Sequence, residues 1–369
     1  PTAMTEYFEV HDRDGAARIG ELRLAESRRT PAIVDDILVD AGSLWPDSRE
    51  VPDGGESALT VLPHRAIPGG TPDDVAEAFA TDYPDVDYPS AAVVTPEAAG
   101  GVEATVDAYV LSTAQAIAGH ARAFVDAIIQ TREAIPHDTA LYLPGIATPA
   151  NVATLVYAGV DLVDTDRAVL KGSQGKYLTV DGEQFLEDLE ELPCACPACQ
   201  TSIDEFGQAE CEQHNVNALR AALATARQRV RRGRLRDYIE GRARHEQWLT
   251  AVFRRLDQQY SYVEQRTPVI RRAEITAATE DTMRRVEIQR FAQRVTERYQ
   301  CRFDNPLVIV PCSAAKPYSE SQSHGQYHDA VQFRGHTLSM TSPIGVVPQE
   351  LELTYPAQHY DSVVTGHWS

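Results

Sequence analysis

The sequence predicts an α/β protein: a TIM-barrel-like, incomplete domain with a structural zinc site, followed by a smaller C-terminal α/β domain. From Val106 onward, strand and helix patterns alternate, which argues a parallel sheet; over roughly 250 residues a barrel is the leading closure. A second buried-strand run, Leu307-Val308-Ile309-Val310, restarts the rhythm after a break near Arg266-Thr267-Pro268. The 369 residues exceed one ordinary domain of roughly 100–200 residues. The stretch before Val106 is short for a full barrel, hence the expectation of an incomplete one.

Between about Thr5 and Val94 the clearest strands are Tyr7-Phe8-Glu9-Val10, Ala58-Leu59-Thr60-Val61-Leu62 and Ala91-Ala92-Val93-Val94. Thr71-Pro72-Asp73-Asp74 opens a helix, with a Thr cap, Pro at the first position and acids in the first turn. Val106–Val110 then leads into a helix to about Arg132, Ala140–Leu143 into a helix after Thr148-Pro149, and Val160–Val163 into a turn and Tyr177-Leu178. Residues 215–260 read as Arg-rich helices, and 281–299 as a helix with Val286, Phe291 and Val295 on its apolar face. The expected domains are 4–262, a barrel domain with the zinc site; 263–300, a helical linker; and 301–369, an α/β domain.

The formal net charge is −20, and Lys occurs only at 171, 176 and 316, so Arg supplies 31 of the 34 cations. The acids are spread through periodic apolar sequence, which excludes a disordered acidic tail. A surface adapted to concentrated salt, a halophile's, explains the imbalance, and a local Arg stripe can still bind phosphate. Arg231, Arg232 and Arg234 are the candidate nucleic-acid contacts, the alternative being a solvated face of paired charges. No run approaches the roughly 18 apolar residues of a membrane span, so no membrane partner and a cytoplasmic location are expected.

Cys194-x-Cys196-x2-Cys199 with His214 offers three thiolates and an imidazole, a closed tetrahedral coordination with no position left for an activated water. A helix opening at Asn215 would fix His214 at its start. Cys211 is the alternative fourth ligand.

This cysteine motif followed by His-Asn resembles the zinc site of tRNA-guanine transglycosylases, whose catalytic domain is a TIM barrel. Arg18-Ile19-Gly20, Thr30-Pro31-Ala32, Gly159–Asp164 and Lys176–Thr179 are similar to that family in order, and Arg232–Leu235 with Glu240–Arg244 resembles its archaeal branch. The resemblance covers about residues 5–260. It implies that Asp164 is the nucleophilic aspartate, where a strand-end capping Asp is the alternative. It also implies that Gly145 and Ile146 contact a 7-substituted deazaguanine, where a plain turn is the alternative. The family's Asp-Ser-Gly-x-x-Gln loop is missing; the nearest string is Asp40-Ala41-Gly42-Ser43.

After Leu307–Val310 comes Pro311-Cys312-Ser313-Ala314-Ala315-Lys316-Pro317-Tyr318-Ser319-x-Ser321-x-Ser323-His324. Small residues past a strand let the backbone turn and present its N–H groups, and Cys312 beside Lys316 can act as a thiolate. This string closely resembles the signature of archaeosine synthases, archaeal paralogues of the transglycosylases, and Thr341–Gly345 through His367-Trp368 resembles their following segment. The resemblance implies a tRNA-modifying enzyme: an amine, lysine's side chain, adds to the nitrile of 7-cyano-7-deazaguanine in the tRNA D-loop, giving an amidine that a separate radical-SAM enzyme cleaves. Cys312 is expected to form a thioimidate and His324 to shuttle the proton; direct amine attack is the alternative. Lys316 would hold the thiolate, a phosphate or the donor's carboxylate, while Ser313, Tyr318 and Ser323 orient substrate. The chain ends one residue after Trp368, so the family's C-terminal tRNA-binding PUA module is expected to be cut off. A homodimer is the expected assembly. Transglycosylation by the barrel and non-catalytic tRNA binding are the other functions considered.

Overall fold

The computed structural model describes residues 5–42, 51–65, 72, 74, 75 and 81–362. An antiparallel ribbon opens the chain: β1 (Phe8–Asp14), β2 (Ala17–Leu22) and β3 (Arg28–Thr30). Seven strands then build a parallel sheet: β4 (Ala32–Ile33), β5 (Leu38–Asp40), β6 (Leu59–Val61), β7 (Ser90–Val94), β8 (Ala108–Leu111), β9 (Ala140–Tyr142) and β10 (Leu162–Val163). Their order is β4-β10-β9-β8-β7-β6-β5, parallel at every ladder. The two end strands are consecutive in the chain and joined by a turn in which the Ile37 N–H donates to the Val34 carbonyl at 2.9 Å. The sheet therefore curls toward its own start, as a TIM-barrel-like fold requires.

Alternation along each strand feeds two apolar cores. Leu59, Val61, Ala91, Ala108, Val110, Ala140, Tyr142 and Leu162 line the enclosed side with Phe8, Leu22 and Leu24 from the opening ribbon. Ala92, Val94, Tyr109, Leu111 and Leu141 point the other way, toward the helices. Those helices are α1 (Ala114–Ile117), α2 (Ala121–Ala134), α3 (Val152–Ala158) and α4 (Asp166–Ser173). The predicted helix from Thr71 falls almost wholly outside the described residues, as does Ser43 of the loop string. At the N-terminal end of the sheet, buried Arg18 reaches buried Asp161 (3.0 Å) and the carbonyls of His137 and Thr139 (both 2.7 Å). A buried carboxylate needs such a partner, because an unpaired one costs several kcal/mol.

A hairpin of β11 (Lys176–Thr179) and β12 (Gly182–Phe185) leads to the cysteine segment and then to α5 (Gln208–Arg231). Cys211, Asn215, Leu219, Ala222, Leu223, Ala226 and Val230 form its buried stripe at helical spacing. After α6 (Leu235–Arg242), α7 (Gln247–Gln258) and α8 (Tyr260–Arg266), the C-terminal unit contains β13 (Ile275–Ala277), α9 (Val286–Gln293), β14 (Leu307–Pro311), α10 (Gln322–Val331), β15 (His336–Thr341), β16 (Gly345–Pro348) and β17 (Tyr360–Ser362). β14 and β15 are parallel, β16 is antiparallel to β15, and β13 pairs with β17. Its core joins Ile275, Ile288 and Phe291, from the segment expected as a linker, to Tyr318, Ile344, Val347 and Tyr360. Among the described residues, no helix is long and apolar enough to cross a membrane.

Candidate functional site

Four groups of side chains were candidates for function, and the structure places each on a separate part of the molecule. Cys194, Cys196, Cys199 and His214 converge, with one ligand atom from each within 4.8 Å of all the others. Cys196 Sγ lies 3.7 Å from Cys199 Sγ, and His214 Nδ1 lies 3.6 and 3.3 Å from these two sulfurs. A tetrahedral ion with metal–sulfur bonds of about 2.3 Å and a metal–nitrogen bond of about 2.0 Å separates its ligands by about 3.8 Å (S···S) and 3.5 Å (S···N). The cluster fits a metal ion on both edges. His214 Nε2–H donates to the Leu178 carbonyl at 2.9 Å, which leaves Nδ1 as the ligand atom, and Tyr177 stacks on the ring at 3.8 Å. Cys211 is fully buried and directs its thiol to the Lys176 carbonyl at 3.5 Å, outside the cluster. The helix expected to open at Asn215 begins at Gln208, so His214 sits in its second turn. The start carries no Ser, Thr or Asp signal because Glu210 reaches back to the Gly207 N–H at 3.1 Å.

Asp164 follows β10 at the C-terminal end of the curled sheet, where barrel active sites lie. Its carboxylate accepts from Tyr142 Oη (2.7 Å), the Gly145 N–H (2.8 Å) and the Asp166 N–H (3.1 Å). Burial pushes its pKa up despite the Tyr142 and Gly145 hydrogen bonds. The Gly145 N–H is thus occupied, and the Ile146 carbonyl accepts from Asn151 at 2.9 Å. Gly145 has φ +65°, and a Cβ there would meet the Gln115 side chain at 2.2 Å. Asp164 clamps this loop. Replacing it with Asn places an amide N–H against an existing donor in either orientation. Asp164→Asn is therefore expected to cost about 1–3 kcal/mol in thermal or denaturant unfolding.

The C-terminal motif lies at the edge where β14 ends. Cys312 is half-buried and its N–H donates to the Met340 carbonyl at 3.1 Å, which continues the β14–β15 ladder. Lys316 Nζ sits 4.2 Å over the Tyr360 ring, and burial lowers its pKa against the opposing fields of Asp361 and Cys312. Beneath them Tyr318 and Thr341 both hydrogen-bond the Tyr360 hydroxyl. His324 is 2% exposed, stacks on Tyr318 at 4.9 Å, and its Nε2–H donates to the Pro311 carbonyl at 3.0 Å. The imidazole therefore holds the backbone immediately before Cys312. Ser321, rather than Ser323, caps α10 through the His324 N–H (3.2 Å), and Ser323 Oγ lies 3.4 Å from Ser321 Oγ. Ser313 is half-buried beside Cys312.

The arginine run divides in two. Arg234 is bound to Asp237 (2.8 Å), Arg236 to Asp257 (2.9 Å), and Arg242 and Arg244 pair with Asp181 and Asp281. Arg227, Arg229 and Arg232 instead line a groove of about 350 Å³ with Arg29 from β3, and Arg231 is exposed nearby. Arg29 lies about two hundred residues from its groove partners, so no local signal could have marked it.

Residues 92–247 match the family model described as queuine tRNA-ribosyltransferase, and 288–369 match a domain of unknown function, DUF5591. The chain is 68% identical to the archaeosine synthase of Haloferax volcanii over 366 residues, 99% of this chain and 62% of that protein. It is 39% identical to archaeosine synthase subunit alpha of Methanosarcina acetivorans, over 99% of this chain and 64% of the relative. The tRNA-guanine(15) transglycosylase of Methanothermobacter thermautotrophicus is 26% identical over 65% of this chain and 38% of its own length. The chain thus spans a little over three fifths of the archaeosine synthases it matches. Along 99% of its length this chain is similar to archaeosine synthases, and it carries both a region matching the transglycosylase-type model and one matching DUF5591.

Proposed function

We propose that this chain acts in archaeosine biosynthesis as a cytoplasmic tRNA-modifying enzyme that adds an amine, lysine, to the nitrile of 7-cyano-7-deazaguanine held in tRNA. The observation that carries the reading is the edge past β14, where a half-buried thiol, a desolvated lysine and a buried hydroxyl network meet on the segment matching DUF5591. In this reading Cys312 adds to the nitrile carbon: a C–S bond forms, one C–N π bond breaks, and the nitrogen takes a proton, giving a thioimidate. The amine displaces the thiol and leaves an amidine. Lys316, its pKa lowered by burial, is suited to carry the proton, because the His324 Nε2 proton is committed to Pro311. Ser313, Tyr318 and Ser323 shape the site, and the end of the barrel at Asp164, Gly145 and Ile146 is the place we assign to a base. The domain limits we propose are 4–262 and 301–369 with 263–300 as the linker, whose Ile275, Ile288 and Phe291 pack into the core of the C-terminal unit, and the ion we assign to Cys194, Cys196, Cys199 and His214 is structural zinc. The amidine is then a substrate for a radical-SAM partner, and a homodimer is the proposed assembly.

Nucleoside mass spectrometry tests the reading. tRNA carrying the cyano base, supplied with lysine at high salt, should yield a base heavier by one lysine. Unchanged cyano base with every amine offered refutes it. The tRNA backbone is placed in the groove of Arg29, Arg227, Arg229 and Arg232, together with Arg231. Replacing both Arg227 and Arg232 with Ala should flatten the plot of log affinity against log salt by about two contacts' worth, whereas Arg234→Ala, which loses an ion pair with Asp237, should leave that slope unchanged.

A further inference from the structure

We propose a second thiol site, at the opposite end of the β14–β15 pair from Cys312, in which Cys301, His336 and Glu350 form a nucleophile–base–carboxylate relay for acyl transfer. Cys301 Sγ lies 3.4 Å from His336 Nδ1, and His336 Nε2 lies 3.1 Å from Glu350 Oε2. Glu350 accepts only at that end of the ring, so it holds the proton on Nε2 and leaves Nδ1 free to accept the thiol proton. Tyr299 Oη donates to the other Glu350 oxygen at 3.2 Å and approaches Nε2 at 3.0 Å. Glu350 itself is held below the usual carboxylate range: burial opposes this, but hydrogen bonds from its own backbone, His336 and Tyr299 prevail.

Three features separate this cluster from a chance contact. The first is its origin in the sheet. β15 and β16 are antiparallel with Leu338 opposite Pro348, and carrying that register two residues further sets Glu350 opposite His336. The second is rigidity: the buried imidazole sits between Phe303 (5.3 Å) and Tyr299 (6.2 Å), while its backbone N–H is tied to the Pro306 carbonyl at 2.9 Å. The third is access. Cys301 is exposed, as Phe303 and Leu307 are at 51% and 55%, so the approach is apolar and accessible. Thiol and carboxylate bind opposite ring nitrogens and cannot share one ion, which favours a relay over a chelate. The β14–β15 ladder separates this site from Cys312 by five residues, roughly 16 Å.

The substrate class is an ester or carboxamide with an uncharged, apolar acyl group. Cys301 sulfur attacks the carbonyl carbon while its proton passes to His336 Nδ1. The C–O or C–N bond breaks, and His336 returns the proton to the leaving alcohol or amine. Water then cleaves the thioester and restores the thiol. Glu350 and Tyr299 act through His336 and are positioning residues.

The probe is p-nitrophenyl butyrate, applied to the whole chain at high salt, with p-nitrophenol release followed and the acylated cysteine located by peptide mass mapping. A burst near one equivalent with the butyryl group on Cys301 is expected, abolished in Cys301→Ser and slowed roughly 100-fold in His336→Asn. Glu350→Gln is nearly isosteric at a site 37% exposed, so it should fold normally; its acylation rate should fall about tenfold and its pH–rate profile should shift from that of the unaltered chain. Label spread evenly over Cys301 and Cys312, or a Cys301 rate indifferent to both His336→Asn and Glu350→Gln, overturns the proposal.

Discussion

Stripping the metal with a chelator, or replacing Cys199 with Ala, should unfold the segment from Leu186 to His214 and abolish stoichiometric metal binding. The expectation rests on how little else holds this segment. Its apolar cluster consists of Tyr177, Phe206, Cys199 and Cys211 with partly buried Leu186, Leu189 and Leu192, and several of these sit against the ligands themselves. Without an ion, four donor atoms within 4.8 Å have lost the charge that permits three thiolates to be neighbours, so the thiols must protonate and separate. Structural zinc contributes on the order of 10 kcal/mol in small finger domains, and even half of that would exceed what this cluster's packing supplies. The checks are metal-to-protein ratio, thermal unfolding and limited proteolysis between residues 186 and 206. Cys211→Ser provides the contrast. Its thiol faces the Lys176 carbonyl, so that variant should keep its metal. A ratio near zero in protein prepared without chelator would dismiss the metal centre.

What was legible in the sequence follows from the range of each interaction. The three cysteines were readable because their spacing is local and thiols so close are costly without an ion; His214 followed from its chemistry. The start of α5 was not, since its cap is Glu210 folding back on Gly207 rather than a hydroxyl or an Asp ahead of the helix. Strand–helix alternation announced the parallel sheet, and the inward Ala and Val positions of β8 and β9 bear the period-two mark. Length and alternation announced a barrel-like closure, but the strands that make it were hidden, because β4 and β5 are two and three residues long and only the turn at 34–37 joins them. β13 is likewise three residues long and pairs with β17 more than eighty residues later, so the segment 263–300 read as helix alone. The arginines show the same limit. Composition and spacing do not distinguish Arg232, in a basic groove, from Arg234, bound to Asp237. The Cys301–His336–Glu350 group arises from sheet register and left no motif.

Glu287→Gln should be among the most destabilising isosteric substitutions in this chain, costing about 3–5 kcal/mol, because it leaves two buried arginines short of a charge. Glu287 accepts from Arg271 at 2.9 Å and from Arg285 at 3.3 Å; Arg271 continues to Asp14 on β1 at 2.6 Å, and Arg285 to Asp237 on α6. These side chains are all at most 7% exposed, and together they fasten the C-terminal unit to the barrel. Burial alone would raise the Glu287 pKa, but Arg285 and Arg271 overrule it and hold it at about 2, against an ordinary value of 4.5. A depressed carboxylate stabilises fully above its unfolded-state pKa and loses that contribution as pH falls toward its folded one. The stability difference between the unaltered chain and Glu287→Gln should therefore be constant above about pH 5 and shrink between pH 4.5 and 2. Surface pairs on a chain of net charge −20 respond strongly to salt, but this network is shielded from it, so raising salt should stabilise both proteins without closing the gap between them. Denaturant titrations of both proteins at pH 7 and pH 3.5, each in low and high salt, decide the matter. A gap that vanished in high salt at pH 7 would mean the network is wet, and the fastening of the two units would then have to come from the apolar contacts between them.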